Sequence, residues 1–249
     1  NIGTVNEYVY LYGDENSPAN GTILNVNCKI LADVDKSHEV QFSNNSLKEY
    51  LLKYYDCDND GKITDFDMAQ ITSLNIANEF YDNEQIDLQG LEYAKFLKSL
   101  EVRDAVNLKV LTNLQNLNYI YVNGIETQED YDSICKIPNL KQLRLENVNF
   151  KEKYDLKQLP KQVEELSITF NNRPTVQLDS IEGISKFENL NKLSMYAHSS
   201  ENIVAIKGLE EINRLLKLEE LCIENQLTDI NFLRENNTIK TLNISYNQI

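Results

Sequence analysis

The side chains best placed to do chemistry lie between residues 54 and 67, YYDCDNDGKITDFD. Asp56, Asp58 and Asp60 alternate, Gly61 follows at once, and Asp67 closes the run. A hard cation such as Ca2+ wants many oxygen ligands, and a twelve-residue loop of the form D-x-[DN]-x-[DN]-G-x5-E supplies them. In that register Asp56, Asp58 and Asp60 take positions 1, 3 and 5, and Gly61 takes the sharp turn at position 6. Lys62 offers its backbone carbonyl at position 7, Ile63 is the apolar residue at 8, Thr64 takes 9 and Asp67 takes 12. Aspartate replaces the usual glutamate at the last position. It is shorter, so its two-oxygen grip on the ion is weaker and affinity falls. A single loop is visible, with no paired second one. The competing reading is an acidic surface turn whose glycine merely permits positive φ. The run of matches, set between a helix and an apolar ITSL stretch, favours calcium in a structural role.

Little else in the chain suggests reactivity. The two histidines, His38 and His198, lie in different regions, and there is no GxGxxG, GxxxxGK[ST] or HExxH. Acidic doublets such as Glu210–Glu211 and Glu219–Glu220 read as solvated faces. Cys28, Cys57, Cys135 and Cys222 show no CxxC spacing, which argues against thiolate zinc and for free thiols. No catalytic centre is expected, and the chain is read as a non-enzyme. A formal net charge of −15 repels phosphate backbones, so nucleic acid is not the expected partner. No apolar run is long enough for a membrane span.

The elements that must position these residues are repeats. The pattern LxxLxL recurs as Ile71–Leu74–Ile76, Leu97–Leu100–Val102, Leu117–Ile120–Val122 and Leu140–Leu143–Leu145. It continues as Val163–Leu166–Ile168, Leu190–Leu193–Met195, Leu218–Leu221–Ile223 and Ile239–Leu242–Ile244. The starts are 26, 20, 23, 23, 27, 28 and 21 residues apart, within the range of leucine-rich repeats. One copy would mean nothing. Eight in order predict stacked repeats, because no single repeat buries its apolar edge alone. The fold class expected is α/β: a right-handed leucine-rich-repeat solenoid with parallel strands on the concave face and short helices or 3-10 turns on the convex face. Ile206, Leu209, Ile212, Leu215 and Leu216 carry the spacing of a short convex helix. The turn asparagine of such repeats is kept at Asn171 and Asn247, and shifted at Asn147 and Asn225.

An open solenoid end needs a cover. SLKEYLLKYY (46–55) supplies a helix, with Ser46 and Glu49 as a capping box and Leu47, Leu51 and Tyr54 on one face. The acidic loop follows directly, so the cap is expected to be helical and EF-hand-like. Before it, NEYVYLYG (6–13) and TILNVNCKIL (22–31) read as two strands, with VDKSHEVQF a candidate third. The division expected is a β-rich segment at 1–38, the cap at 39–70 and the repeats at 71–249. The chain is also expected to be a processed or trimmed form that naturally continues past Ile249.

Residues flanking the apolar strand positions face the inner arc. Tyrosine and arginine dominate binding hot spots. Arg103, Tyr119, Tyr121, Arg144 and Tyr196, with Glu146 beside them, are therefore the candidate partner-binding set, although tyrosines on neighbouring strands also pair for packing alone.

The order QFSNNSLKEYLLKYYD, DNDGKIT, MAQITSLNI, IDLQGLEYAKFLKSLEV resembles the capped repeat region of internalin-like surface proteins of Gram-positive bacteria, over roughly residues 40–249. That resemblance implies an extracellular or cell-surface protein whose concave face binds a partner, often a host protein. Two features depart from the pattern: the period is less regular, and no wall-anchoring motif is visible. The expected function is recognition of a protein or glycan ligand. The alternatives are a fragment that targets a larger secreted enzyme or toxin, and a structural spacer.

Overall fold

The computed structural model describes residues 4–9, 24–29, 37–80, 85–148, 156–170, 180–197, 206–224 and 227–249. Strands β1 (Thr4–Val9) and β2 (Leu24–Lys29) pair antiparallel, with Thr4 opposite Lys29 and Val9 opposite Leu24. The cap follows as α1 (Asn45–Tyr55) and α2 (Asp65–Gln70). Asn44, not Ser46, caps α1: its Oδ1 accepts the Leu47 N–H at 2.7 Å. Either residue type can cap, and the chain enters the helix two residues earlier than the capping-box spacing suggests. Leu47 and Leu51 are fully buried, as their spacing of four requires, but Tyr54 is 55% exposed. Tyr54 instead packs at a tilt against Tyr50, ring centroids 4.7 Å apart.

The candidate third strand of the N-terminal segment pairs elsewhere. Residues 34–36 lie outside the described residues, and from His38 to Val40 the chain runs beside the acidic loop. Val40 N–H donates to the Ile63 carbonyl at 2.8 Å, and Glu39 bridges Thr64 in antiparallel fashion. Ile63, the apolar residue of the loop, is thereby buried against Val40 and the cap helices.

The repeats begin at β3 (Ser73–Asn75), followed by β4 (Ile86–Asp87), β5 (Ser99–Arg103), β6 (Ala105–Val106) and β7 (Tyr119–Ile125). Helix α3 (Gln128–Cys135) leads to β8 (Gln142–Val148), β9 (Glu165–Phe170), β10 (Lys192–Ala197), β11 (Glu220–Glu224) and β12 (Thr241–Asn243). Eight of these form one parallel sheet in the order β12-β11-β10-β9-β8-β7-β5-β3, while β4 and β6 pair separately. The register is in phase: Leu100, Ile120, Leu143, Leu166, Leu193, Leu221 and Leu242 lie in one row. The first seven apolar triplets are buried to 2% exposure or less. In the eighth, on the edge strand β12, Leu242 is 44% exposed.

Convex segments are mostly 3-10 turns: Leu91–Tyr93, Leu108–Asn113, Leu156–Gln158, Ile184–Lys186, Leu209–Arg214 and Asn231–Leu233. The short helix expected after Ile206 is the 3-10 turn Leu209–Arg214, which buries Ile212; Leu215 just after it is also buried, but Leu216 is 77% exposed. With three residues per turn, the face repeats at i and i+3, and Leu216 falls off it. That turn starts at Gly208, where φ is +82° and a Cβ would lie 2.8 Å from the backbone nitrogen of Glu182. Between turn and strand, amides stitch successive repeats. Asn116 Nδ2 donates to the Lys95 carbonyl at 2.7 Å, and Asn139 Nδ2 to that of Gln115 at 2.8 Å. Asn247 does the expected turn work, donating to Ile223 O and Ile244 O and accepting from Leu227 N–H. Asn171 and Asn225 lie outside the described residues.

The cap also closes the free edge of β3. Tyr55 Oη donates to the Ser73 carbonyl at 3.4 Å and Tyr50 Oη to the Asn75 carbonyl at 3.5 Å, which blunts a strand edge that would otherwise invite pairing. No helix among the described residues is long and apolar enough to cross a membrane.

Candidate functional site

The acidic loop hangs between the end of α1 and the start of α2. Asp56 Oδ1 and Oδ2 accept the N–H groups of Asp60 and Gly61 at 3.2 and 2.9 Å, and Asp60 Oδ1 accepts that of Lys62 at 2.8 Å. Gly61 sits at φ +80°, the left-handed turn its loop position demands. Carboxylate oxygens of Asp56, Asp58 and Asp60 lie within 4.8 Å of one another, close enough to share a cation.

Thr64 and Asp67, the other two predicted side-chain ligands, are turned to each other. Asp67 is 1% exposed. Its Oδ2 accepts the Thr64 N–H at 2.9 Å and the Thr64 hydroxyl at 2.6 Å, while its Oδ1 accepts the Cys57 N–H at 3.0 Å. The pair is the capping box of α2, and it ties the start of the loop to its end. Burial alone would raise the Asp67 carboxyl. The hydrogen bonds from Thr64 and Cys57 outweigh it and hold Asp67 below the usual carboxylate range. The T-x-x-D spacing recurs at Thr127 and Asp130, where the Thr127 hydroxyl caps α3 by accepting the Asp130 N–H at 3.1 Å and donates to Asp130 Oδ2 at 2.5 Å. His38 Nδ1 meets Asp65 Oδ1 at 2.7 Å, anchoring the segment beside the loop.

On the concave face the strand register forms three rows of outward side chains. One runs Glu101, Tyr121, Arg144, Ser167, Ser194, Cys222, and is flanked by Tyr119, Gln142, Glu165, Lys192, Glu220 and by Asn123, Glu146, Thr169, Tyr196, Glu224. Glu146 is the hub. Its Oε2 accepts the Tyr121 hydroxyl at 2.6 Å and Asn123 Nδ2 at 3.3 Å, while its Oε1 accepts Arg144 Nε at 3.1 Å. The Arg144 guanidinium lies 4.8 Å from the centroid of the Tyr121 ring. Tyr119 donates to Glu101 at 3.3 Å. Burial, then the neighbouring glutamates, pushes Tyr119 and Tyr121 above the ordinary phenol range.

Of the six predicted partner-binding residues, Tyr121, Arg144 and Glu146 form one cluster. Arg103 lies on the neighbouring strand β5, opposite Asn123, but reaches away to Asn78 at 3.4 Å. Tyr196 lies two strands to the other side, in the row of Glu146. Sequence reasoning sets Asn123 on the inner arc but misses it as a candidate; it is 8% exposed and links Tyr121, Glu146 and Asn147. The only available signal was its place in the repeat, one residue past the last apolar position, shared with Glu146 and Thr169. It also missed the gap between Arg144 and Tyr196, where Ser167, Thr169 and Ser194 are too small to fill the face and leave a hollow of ≈ 620 Å³.

The thiols of Cys57, Cys135 and Cys222 are poor nucleophiles. Burial raises Cys57 and Cys222 and pushes Cys135 up to about 12, so all three stay protonated at neutral pH.

A helical cap, a parallel concave sheet and 3-10 convex turns define an internalin-like leucine-rich-repeat solenoid. Internalin C2 of Listeria monocytogenes shares this fold, with a TM-score of 0.57, 17% identity and coverage of 82% of this chain and 94% of that one. A leucine-rich-repeat protein of Leptospira interrogans matches with a TM-score of 0.52 and 15% identity over 80% of this chain, which spans 46% of that protein. An internalin F of Listeria monocytogenes aligns at 18% identity over 84% of this chain and 77% of that one, with a TM-score of 0.41. No protein-family model matches the sequence, and the comparison with curated proteins found no match.

Proposed function

We propose that this chain is a non-enzymatic recognition module, secreted or held at a bacterial surface, that binds a protein ligand on its concave face. The observation that carries the reading is the cluster of Tyr121, Arg144, Glu146 and Asn123 at the centre of a continuous sheet. Aromatic and arginine side chains there are already positioned by hydrogen bonds, so binding loses little side-chain freedom. The partner is expected to be host-derived. Arg103, Tyr119 and Tyr196 extend the footprint.

Calcium is the second part of the proposal. Asp56, Asp58 and Asp60, with the Lys62 carbonyl, would hold the ion and water would complete its shell. Thr64 and Asp67 would keep their mutual bond and steady the loop. The ion's contribution is structural: it neutralises three clustered carboxylates and stiffens the cap against the first repeat.

The deciding experiment captures ligands from host-cell surface extracts on the immobilised chain and on Tyr119→Ala/Tyr121→Ala. Truncating a true hot spot costs about 2 kcal/mol or more, roughly thirtyfold in affinity. Capture that is identical on both proteins would remove this face from the footprint.

A further inference from the structure

The hollow on the concave face has a chemistry of its own. Its two cationic neighbours are engaged: Arg144 with Glu146, and Lys192 with Glu220 at 2.9 Å. Two more carboxylates stand at its rim without a direct ion pair among the described residues. Glu165 accepts the Gln142 amide at 2.8 Å and lies opposite Lys192, whose ammonium it helps Glu220 hold above its usual range. Glu224 accepts the Asn243 amide at 2.7 Å and the Cys222 thiol at 3.8 Å. In the floor lies Thr169, 8% exposed overall. The rings of Tyr119 and Tyr196 flank the space. The hollow therefore combines carboxylates with spare acceptor capacity, a hydroxyl in its floor and aromatic walls, in a chain of net charge −15.

We propose that this hollow takes an arginine side chain carried by a segment of the protein partner. A guanidinium has five N–H donors and no acceptor, so carboxylates and hydroxyl oxygens satisfy it from several sides at once. Its flat face also packs on tyrosine. An anionic group fits worse, since Arg144 and Lys192 would each have to leave a carboxylate to meet it. The inference rests on the concave-face reading and narrows it to one kind of contact.

The test titrates acetyl-Gly-Gly-Arg-Gly-Gly-amide and its citrulline counterpart into the protein at roughly physiological salt, followed by NMR. Saturable binding of the arginine peptide is expected, with the neutral citrulline peptide weaker by about tenfold or more. Glu165→Gln/Glu224→Gln should weaken the arginine peptide by a similar factor, and Thr169→Val by about threefold or more. The control is Glu188→Gln/Glu210→Gln, which removes the same charge from exposed convex positions and should leave binding unchanged. Equal weakening by both double variants reduces the effect to overall charge and overturns the proposal. So does equal binding of the citrulline peptide, or competition for the hollow by a neutral oligosaccharide while the arginine peptide is inert. If Tyr119→Ala/Tyr121→Ala abolishes partner capture and the arginine peptide still does not bind, the arginine assignment falls and the concave-face reading stands.

Discussion

In the 56–67 loop, carboxylates accept mostly from backbone N–H groups close in sequence: Asp56 from Asp60 and Gly61, Asp60 from Lys62, Asp67 from Thr64 and Cys57. On the concave sheet, Glu101, Glu146 and Glu165 accept from side chains on other strands, Glu101 from Asn75 and Tyr119, Glu146 from Tyr121 and Asn123, Glu165 from Gln142. The first arrangement fixes the backbone, and nothing outside the loop can replace its donors without unfolding it. The second fixes only side chains, and an arriving partner can exchange its own groups for them. Acidic residues thus serve conformation in one region and stand ready for exchange in the other.

The sharpest way to break that contrast is at Asp67. Asp67→Ala strips an acceptor from two backbone N–H groups and a hydroxyl in a buried site, and is expected to destabilise the protein by about 3 kcal/mol in urea unfolding. Because the folded Asp67 carboxyl titrates below its unfolded value, its contribution is full above that unfolded value, near 3.8, and disappears as pH falls through the lower folded one. The gap in stability between wild type and Asp67→Asn should therefore be wide at neutral pH and narrow in strong acid. A gap of the same size at both would mean that the carboxylate's charge plays no part in holding the loop.

Calcium comes next. An ion that binds only the folded state at about 100 times its dissociation constant adds roughly 2.7 kcal/mol. For a chain of this size that raises the melting temperature by roughly 5–10 °C. The shift in millimolar calcium over excess EDTA should vanish in Asp58→Ala/Asp60→Ala, whereas Glu101→Gln on the sheet should leave it intact. Identical melts with and without calcium would make the loop an acidic turn held by its own backbone.

How much of this was legible in the sequence follows the same division. The acidic loop reads directly because its determinants lie within twelve consecutive residues, and glycine at the turn has a single physical reason. The solenoid reads because Leu100, Ile120 and Leu143 recur in phase, and burial forces the phase. What stayed hidden depends on choices that near-equivalent residues leave open. Asn44 and Ser46 both cap helices, and only the entry angle of the chain decides between them. Asp67 reads as a metal ligand or as the cap of α2 from the same spacing, and a side-chain rotation separates the two. The cluster at Glu146 required knowing that Asn123 and Tyr121 sit on the strand beside it, which the repeat period implies. The bond from Tyr121 to Glu146 is not implied, because Glu101 lies directly opposite Tyr121 while Glu146 is diagonal to it, opposite Asn123.

The smallest expected effect tests the other half of the contrast. Glu146→Gln keeps the size of the hub but removes its charge, so Arg144 loses its ion pair while Tyr121 and Asn123 keep an acceptor. The Glu146 carboxylate holds the Arg144 guanidinium above its already high range, and Arg144 remains charged in the variant. Exposed ion pairs contribute little, since water screens them and Arg144 recovers hydration when released. Folding stability should therefore change by less than about 1 kcal/mol, several times less than at Asp67. A double-mutant cycle of Glu146→Ala, which removes the acceptor, with Tyr121→Phe in urea unfolding should return a coupling of about 0.5 to 1.5 kcal/mol between the two side chains. A loss of about 3 kcal/mol from Glu146→Gln alone would show that the concave network supports the fold as the loop does. Its side chains would then be no freer than Asp67 to exchange partners, and the recognition surface would have to lie elsewhere on the sheet.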